Sequence, residues 1–227
     1  MSSRYDAAIF DLHGTLIPWS KDGFRAMLMK MADTIGANGD EFIRVMGETA
    51  HESMVGQFGS VVAQVEHHCL ALGVHASTRS VEQAAQRWFD FHWQGYEMPY
   101  TSAFDVLQRL HEMGVKIGII TNCGAEAPEL WSRSRFAPLA DTAIFSVTEG
   151  IAKPDPLIYS KAIKRIGAAP EKCLYVDDSV ACLLGAKDAG MDTLLIRHPG
   201  NMVGLKGIDE WDGPRITELS GVLNHIT

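Results

Sequence analysis

"IFDLHGTLIPW", residues 9–19, decides how the rest of the chain is read. The compact apolar run "YDAAIFDL" (residues 5–12) stops at a Gly-Thr turn, the pattern of a strand buried on both faces. At its end stand a carboxylate, Asp11, and an imidazole, His13. Open parallel sheets bind ligands at the carboxyl ends of their strands, so these two side chains are the first candidate site residues.

Four later runs share the same character: "VKIGIIT" (115–121), "TAIFSV" (142–147), "KCLYVDD" (172–178) and "MDTLLIRH" (191–198). Helical patterns separate them. "AFDVLQRLHEMG" (103–114) sets Phe104, Leu107, Leu110 and His111 on one side and closes with Gly114. "PLIYSKAIKRIG" (156–167) carries Leu157, Ala162, Ile163 and Ile166 between Pro156 and Gly167, and "SVACLLGAKDAGM" (179–191) has the same form. Strands alternating with helices imply an α/β fold, a Rossmann-like three-layer core with a parallel sheet covered on both faces.

One segment breaks the alternation. Residues 20–95 hold no strand pattern but several helical stretches. Phe24, Met27, Leu28, Met31 and Ile35 form one apolar stripe, and "SVVAQVEHHCLALG" (60–73) and "SVEQAAQRWFDFHW" (80–93) supply two more. The expected organisation is a core of residues 1–19 and 96–227 with a helical insert over 20–95, hinged near 16–21 and 95–101.

The chain has 227 residues, 46% of them apolar, enough for a large core domain with a smaller insert. Its formal net charge of -8, without a block of like charges, argues against a nucleic-acid binder. A phosphorylated ligand remains open, since a few local cations and a metal can capture one. No apolar run reaches the length of a membrane span, and the first residues, "MSSRYDAAIF", lack a signal-peptide pattern. Cys69, Cys123, Cys173 and Cys182 show neither disulfide nor zinc-finger spacing, so they read as small buried thiols of a cytoplasmic protein.

Four strand ends carry polar groups of one kind. They are Asp11-Leu12-His13-Gly14-Thr15, then Thr121-Asn122, then Lys153-Pro154 after the third run, then Asp177-Asp178. In this order and spacing, with "KPDPLIY" and "YVDDSVACLLGAKDAGM", they resemble the four motifs of the haloacid dehalogenase superfamily, and the resemblance spans nearly the whole chain. The helical insert is similar to the cap (type C1) of that superfamily's subfamily I, and the site is phosphatase-like.

The resemblance implies a magnesium-dependent (Mg2+) hydrolase that attacks a small phosphorylated metabolite through an aspartyl-phosphate. Asp11 would be the nucleophile. The metal would be held by Asp11, the backbone carbonyl of His13 and Asp178, with Asp177 acting through water. Thr15, Thr121, Asn122 and Lys153 would hold the phosphoryl group, Lys153 and Thr121 as part of the catalytic set. The chemistry agrees, since phosphoryl transfer needs cations and donors around a positioned nucleophile. A monomer or homodimer is expected. Each residue also has a plainer reading: Asp177-Asp178 as a helix cap pair, Lys153 as a solvated loop lysine, Thr121-Asn122 as an ordinary turn.

Two positions depart from the superfamily pattern. The usual second aspartate of the first motif is His13, which can exchange protons near neutral pH as general acid and then base. Its alternatives are substrate binding or packing against the cap. Four residues after Asp178 stands Cys182 instead of a further acid, expected to pack as a small residue.

Dehalogenation is the rival chemistry, because dehalogenating relatives use the same first aspartate followed two positions later by a non-acidic residue. They need no metal, and the paired Asp177-Asp178 carboxylates would repel an anionic haloacid. Phosphonate cleavage requires a cap lysine, for which only Lys21 and Lys30 are available. A non-catalytic phospho-ligand sensor is the third possibility.

Within the insert, "RVMGETAHESMVGQFGS" (44–60) reads either as a loop dipping to the site or as helix-surface charges, with Arg44, Glu48, His51 and Glu52 as its polar groups. His67, His68 and Cys69 diverge around a helix axis and read as structural rather than metal-binding. Trp88, Phe89, Phe91, Trp93, Tyr96 and Tyr100 read as cap core and hinge packing.

Overall fold

A computed structural model describes residues 3–199 and 211–226. Six parallel strands form one sheet: β1 (Ala7–Phe10), β2 (Lys116–Thr121), β3 (Thr142–Phe145), β4 (Cys173–Asp177), β5 (Asp192–Ile196) and β6 (Arg215–Ile216). Their spatial order is β3-β2-β1-β4-β5-β6. The chain winds outward from β1 through β2 to β3, then returns to β4 on the other side. The C-terminal end of β1 is therefore the point where strand order reverses, and a crevice opens there.

Strand alternation divides the core into two faces. Phe10, Ile119, Val176 and Leu194 form one row across the register and pack against α6 (Ala103–Glu112) and α7 (Ala127–Arg133). Ile9, Ile120, Tyr175 and Leu195 face the opposite way, against α9 (Pro156–Ile166) and α10 (Val180–Asp188). Two helical phases differ from the periodicity reading. In α6, Ala103 and Val106 join Leu107 and Leu110 inside while His111 is exposed, since the face that packs on the sheet is turned from the one the periodicity suggests. In α9, Ile158 and Tyr159 are buried and Leu157 is exposed. Tyr159 donates a hydrogen bond to the Cys182 carbonyl at 2.8 Å, which fixes that helix's rotation.

The third strand is shorter than its apolar run. It ends at Phe145, and a single helical turn, α8 (Ser146–Glu149), follows, because the Ser146 hydroxyl accepts from the Cys123 N–H at 3.0 Å. The two-residue β6 carries too little pattern to be read from sequence.

Between β1 and α6 lie five helices: α1 (Lys21–Ile35), α2 (Gly39–Glu48), α3 (Ala50–Met54), α4 (Val61–Ala71) and α5 (Thr78–Glu97). Ser20, Asn38, Ser60 and Ser77 cap the starts of α1, α2, α4 and α5 by accepting backbone N–H bonds. The stripe Met27, Leu28, Met31 and Ile35 is buried with Phe42, Val65 and Trp88 in a core of its own, where each large side chain contributes roughly 1.5–3 kcal/mol. Helix α5 runs two residues past position 95, to Glu97. Arg44 and Glu48 pair on the exposed side of α2 at 2.7 Å, so these two charges lie on a helix surface, while Glu52 of the same stretch has a buried oxygen. All four cysteines are buried free thiols, Cys182 within the α10 face of the core. No helix among the described residues is long and apolar enough to cross a membrane.

Candidate active site

Strand register brings the candidate residues together. Asp11 follows β1, and its N–H is bonded to the Val176 carbonyl of β4 at 2.9 Å. Asp177 ends β4 and Asp178 follows it, so the three carboxylates meet at the switch point, with ligand oxygens within 4.8 Å of one another. All three are buried. Such a cluster of hard oxygen donors needs cationic compensation.

Lys153 supplies part of it. Its ammonium donates to Asp11 Oδ1 at 2.7 Å, to Asp177 Oδ2 at 2.8 Å and to the Tyr175 hydroxyl at 3.0 Å. Burial works against that ammonium, but the Asp11 and Asp177 charges outweigh it and hold the pKa well above the ordinary lysine value. For Asp11, burial raises the pKa above the usual carboxylate range, with Asp177 adding to the rise and Lys153 opposing it.

Asp177 is fully engaged. Besides Lys153 it accepts from the Tyr175 hydroxyl at 2.5 Å and, through Oδ1, from the Ser179 N–H at 2.7 Å. The last of these is a local turn bond ahead of α10, whose own cap position is Ser179 and carries no side-chain cap hydrogen bond, so the helix-cap reading of the pair does not hold for Asp177. Tyr175 was missed in the sequence, although it lies two residues before Asp177 and alternation puts both on one face of β4.

Several buried polar atoms have no protein partner: Asp11 Oδ2, Thr15 Oγ1, Thr121 Oγ1 and His13 Nε2. A buried oxygen left unpaired costs about 1–3 kcal/mol, and these atoms all belong to the turn after β1 and the end of β2. Asn122 ties the second motif to the third. Its side-chain N–H donates to the Lys153 carbonyl at 2.9 Å, and its Oδ1 accepts from the Lys153 N–H at 2.8 Å. Both of its polar atoms hold the lysine's backbone.

Gly14 has φ of +89°, and a Cβ there would run into the Asp178 carboxylate. The glycine lets Asp178 close on the first motif's turn, where Gly14 N–H also bonds the Ile17 carbonyl at 2.8 Å.

His13 points from the core toward the inserted helices. Its ring stands edge-on to Trp19 at 5.6 Å and to His92 of α5 at 5.8 Å. Burial, then the His92 and Lys153 charges, lowers its pKa to about 3. Beyond it, His92 Nδ1 donates to the Trp88 carbonyl at 2.9 Å, and His92 Nε2 lies 3.7 Å from the buried Glu126 carboxylate. Neither His92 nor Glu126 carries a sequence signal, since each is distant from the motifs. His68 is buried with Thr49 Oγ1 at 2.8 Å from Nε2, a packing role and not a metal site.

A buried aspartate after the first strand, a lysine bridging it to the paired-aspartate end of β4, and helices inserted after the first motif make up the site. The profile of the haloacid dehalogenase-like hydrolases matches residues 5–190, and the chain belongs to that family. A glyceraldehyde 3-phosphate phosphatase of Methanopyrus kandleri is 30% identical over 206 residues, covering 85% of this chain and 84% of that protein. An (S)-2-haloacid dehalogenase of Pseudomonas fluorescens is 25% identical over 204 residues, 84% of each. In fold, the chain is similar to the crystal structure of an HAD phosphatase from Thermococcus onnurineus, with a TM-score of 0.64 over 96% of both chains at 18% identity.

Proposed function

We propose that the protein is a phosphomonoester hydrolase acting on a small phosphorylated metabolite. One observation carries the reading: Asp11 is buried with one carboxylate oxygen on Lys153 and the other unpartnered, and the buried hydroxyls of Thr15 and Thr121 are likewise unpartnered. A phosphoryl group fits that vacancy of bonding because its oxygens accept from Lys153, Thr15 and Thr121 while its phosphorus meets a carboxylate oxygen.

In the first half-reaction, an Asp11 oxygen attacks phosphorus, the P–O bond to the alcohol breaks, and the departing oxygen takes a proton. In the second, water attacks the aspartyl-phosphate phosphorus and loses a proton, regenerating Asp11 and releasing inorganic phosphate. His13, which lines the cavity toward the inserted helices, is the proposed proton carrier. The neutral imidazole accepts water's proton, and a phosphoryl dianion nearby favours the imidazolium that protonates the alcohol. Lys153 and Thr121 neutralise and hold the transferring group, and Asn122 fixes the lysine's backbone.

The orphaned Asp11 Oδ2 and the clustered Asp178 suit a magnesium ion, with the His13 carbonyl as a further oxygen donor. When bound, the ion would offset the carboxylates' repulsion of the phosphate. Residues 20–95 serve as the cap over a core of 1–19 and 96–227. Four buried free thiols favour a reducing compartment such as the cytoplasm, and a monomer or homodimer is part of the proposal.

The test is phosphate release from a panel of phosphate esters with magnesium, with and without chelator, and acid-quench trapping of the aspartyl-phosphate. Full activity in excess chelator, or halide release from a 2-haloacid without phosphate release, would move the assignment to a dehalogenase. Phosphate binding without turnover of any ester would leave a phospho-ligand sensor.

A further inference from the structure

Beyond His13 the site opens into a cavity of about 610 Å³ between the core and the inserted helices. That is the size range of pockets that enclose whole organic ligands. Its wall is built largely from Trp19, Phe24, Leu28, Ile43, Met46 and Trp88. Of the polar side chains that also reach it, three are committed elsewhere, while the exposed Lys21 is paired with no group among the described residues. Arg25 is paired with Asp40 at 2.7 Å, Gln64 accepts from Ser53 at 3.1 Å, and Asn122 is bound to Lys153.

Buried polar atoms in this wall without a protein partner are few: His13 Nε2, Trp88 Nε1 and Glu126 Oε2. A polyol such as a sugar would lose water at each hydroxyl and meet hydrocarbon at most of them, leaving those groups unpaired. An apolar group in the same space gains by leaving water.

From this wall we infer that the alcohol portion of the substrate is a bulky, largely apolar group, aromatic or branched aliphatic, bearing at most one or two polar atoms. Those atoms would face Trp88 Nε1, a donor, and Glu126 Oε2, an acceptor. The inference rests on the phosphomonoesterase reading for the position of the phosphate, but the cavity's preference for hydrocarbon can be tested without turnover.

The kinetic arm compares kcat/KM for 4-phenylbutyl phosphate with that for glyceraldehyde 3-phosphate. The arylalkyl ester is expected to be preferred by at least about tenfold, and a smaller ratio overturns the inference. Gly47 on α2 lines the cavity, and a Cβ there meets nothing within 4 Å, so the side chain of Gly47→Phe starts into open space. It should lower the ratio by about tenfold or more; Ala50→Phe, which also fills the cavity, serves if the first variant is poorly folded. An unchanged ratio in a folded variant overturns the inference.

The binding arm titrates 4-phenyl-1-butanol and follows tryptophan emission, since Trp19 and Trp88 lie in the wall. A saturable response in the parent protein, lost in the filled variant, supports the apolar site. No saturable response overturns it. If no phosphate ester is turned over, the phosphatase reading fails on its own while the alcohol titration still decides the cavity.

Discussion

Asn122 and Lys153 are joined by a reciprocal pair of hydrogen bonds, side-chain amide to backbone carbonyl at 2.9 Å and backbone amide to side-chain oxygen at 2.8 Å. The end of β2 thereby fixes the segment that carries the site's one buried lysine. Asn122→Ala leaves a backbone donor and acceptor without partners, at about 1–3 kcal/mol. The expected result is a lower melting temperature and turnover reduced by about ten- to a hundredfold, as the ammonium drifts from Asp11. Thermal melts beside steady-state assays check it, and turnover equal to the parent's would show that the clamp does not position Lys153.

Lys153 balances two buried carboxylates. Lys153→Met should destabilise the protein by about 3–5 kcal/mol, because Asp11 and Asp177 are left without their cation. Adding Asp177→Asn should recover part of that stability and none of the activity. Denaturant unfolding of the single and double variants measures the coupling. An additive pair would mean that the lysine's contacts contribute independently.

Asp11→Asn preserves shape and an oxygen for Lys153 while removing the nucleophile. The expected outcome is a folded protein with turnover below about a thousandth of the parent's. Retention of a tenth or more of the activity would exclude Asp11 as the group that attacks phosphorus.

His13 should matter most when the leaving group is poor, because a departing alkoxide must be protonated and an activated phenoxide need not be. In pre-steady-state phosphorylation, His13→Ala is expected to slow an alkyl phosphate by about 10²–10⁴-fold and an aryl phosphate far less. Equal losses would assign His13 to positioning of substrate or of Trp19 and His92.

His68 gives a pH dependence unrelated to catalysis. Burial, then the neighbouring His67 charge, lowers its pKa to about 4, against about 6.5 in the unfolded chain. The folded protein therefore holds the neutral ring. The stability this contributes is complete above about pH 6.5 and is lost as pH falls toward 4, since only the unfolded state takes up the proton. Between pH 7 and 5 the loss should be about 1–2 kcal/mol, measured by denaturant unfolding. His68→Gln should remove that part of the slope, and an unchanged slope would assign it to other groups.

Local pattern determined much of this protein. The apolar runs placed five strands, Pro156 and Gly167 bracketed α9, and the four polar strand ends marked where a site would form. Those signals are legible because alternation, helical period and turn chemistry act over a few residues. The positions where pattern failed are those set by contacts distant in sequence. Leu157 is exposed because Tyr159 anchors α9 to Cys182, and His111 is exposed because the sheet fixes the phase of α6. Tertiary structure alone decided that Asn122 binds the backbone of Lys153 rather than solvent. It also decided that Asp177 is spent on Lys153, Tyr175 and Ser179, and that His13 looks onto His92, Glu126 and an apolar cavity. These are encounters between segments tens of residues apart, and a sequence does not encode which side chains meet until strand register and helix packing bring them within bonding distance.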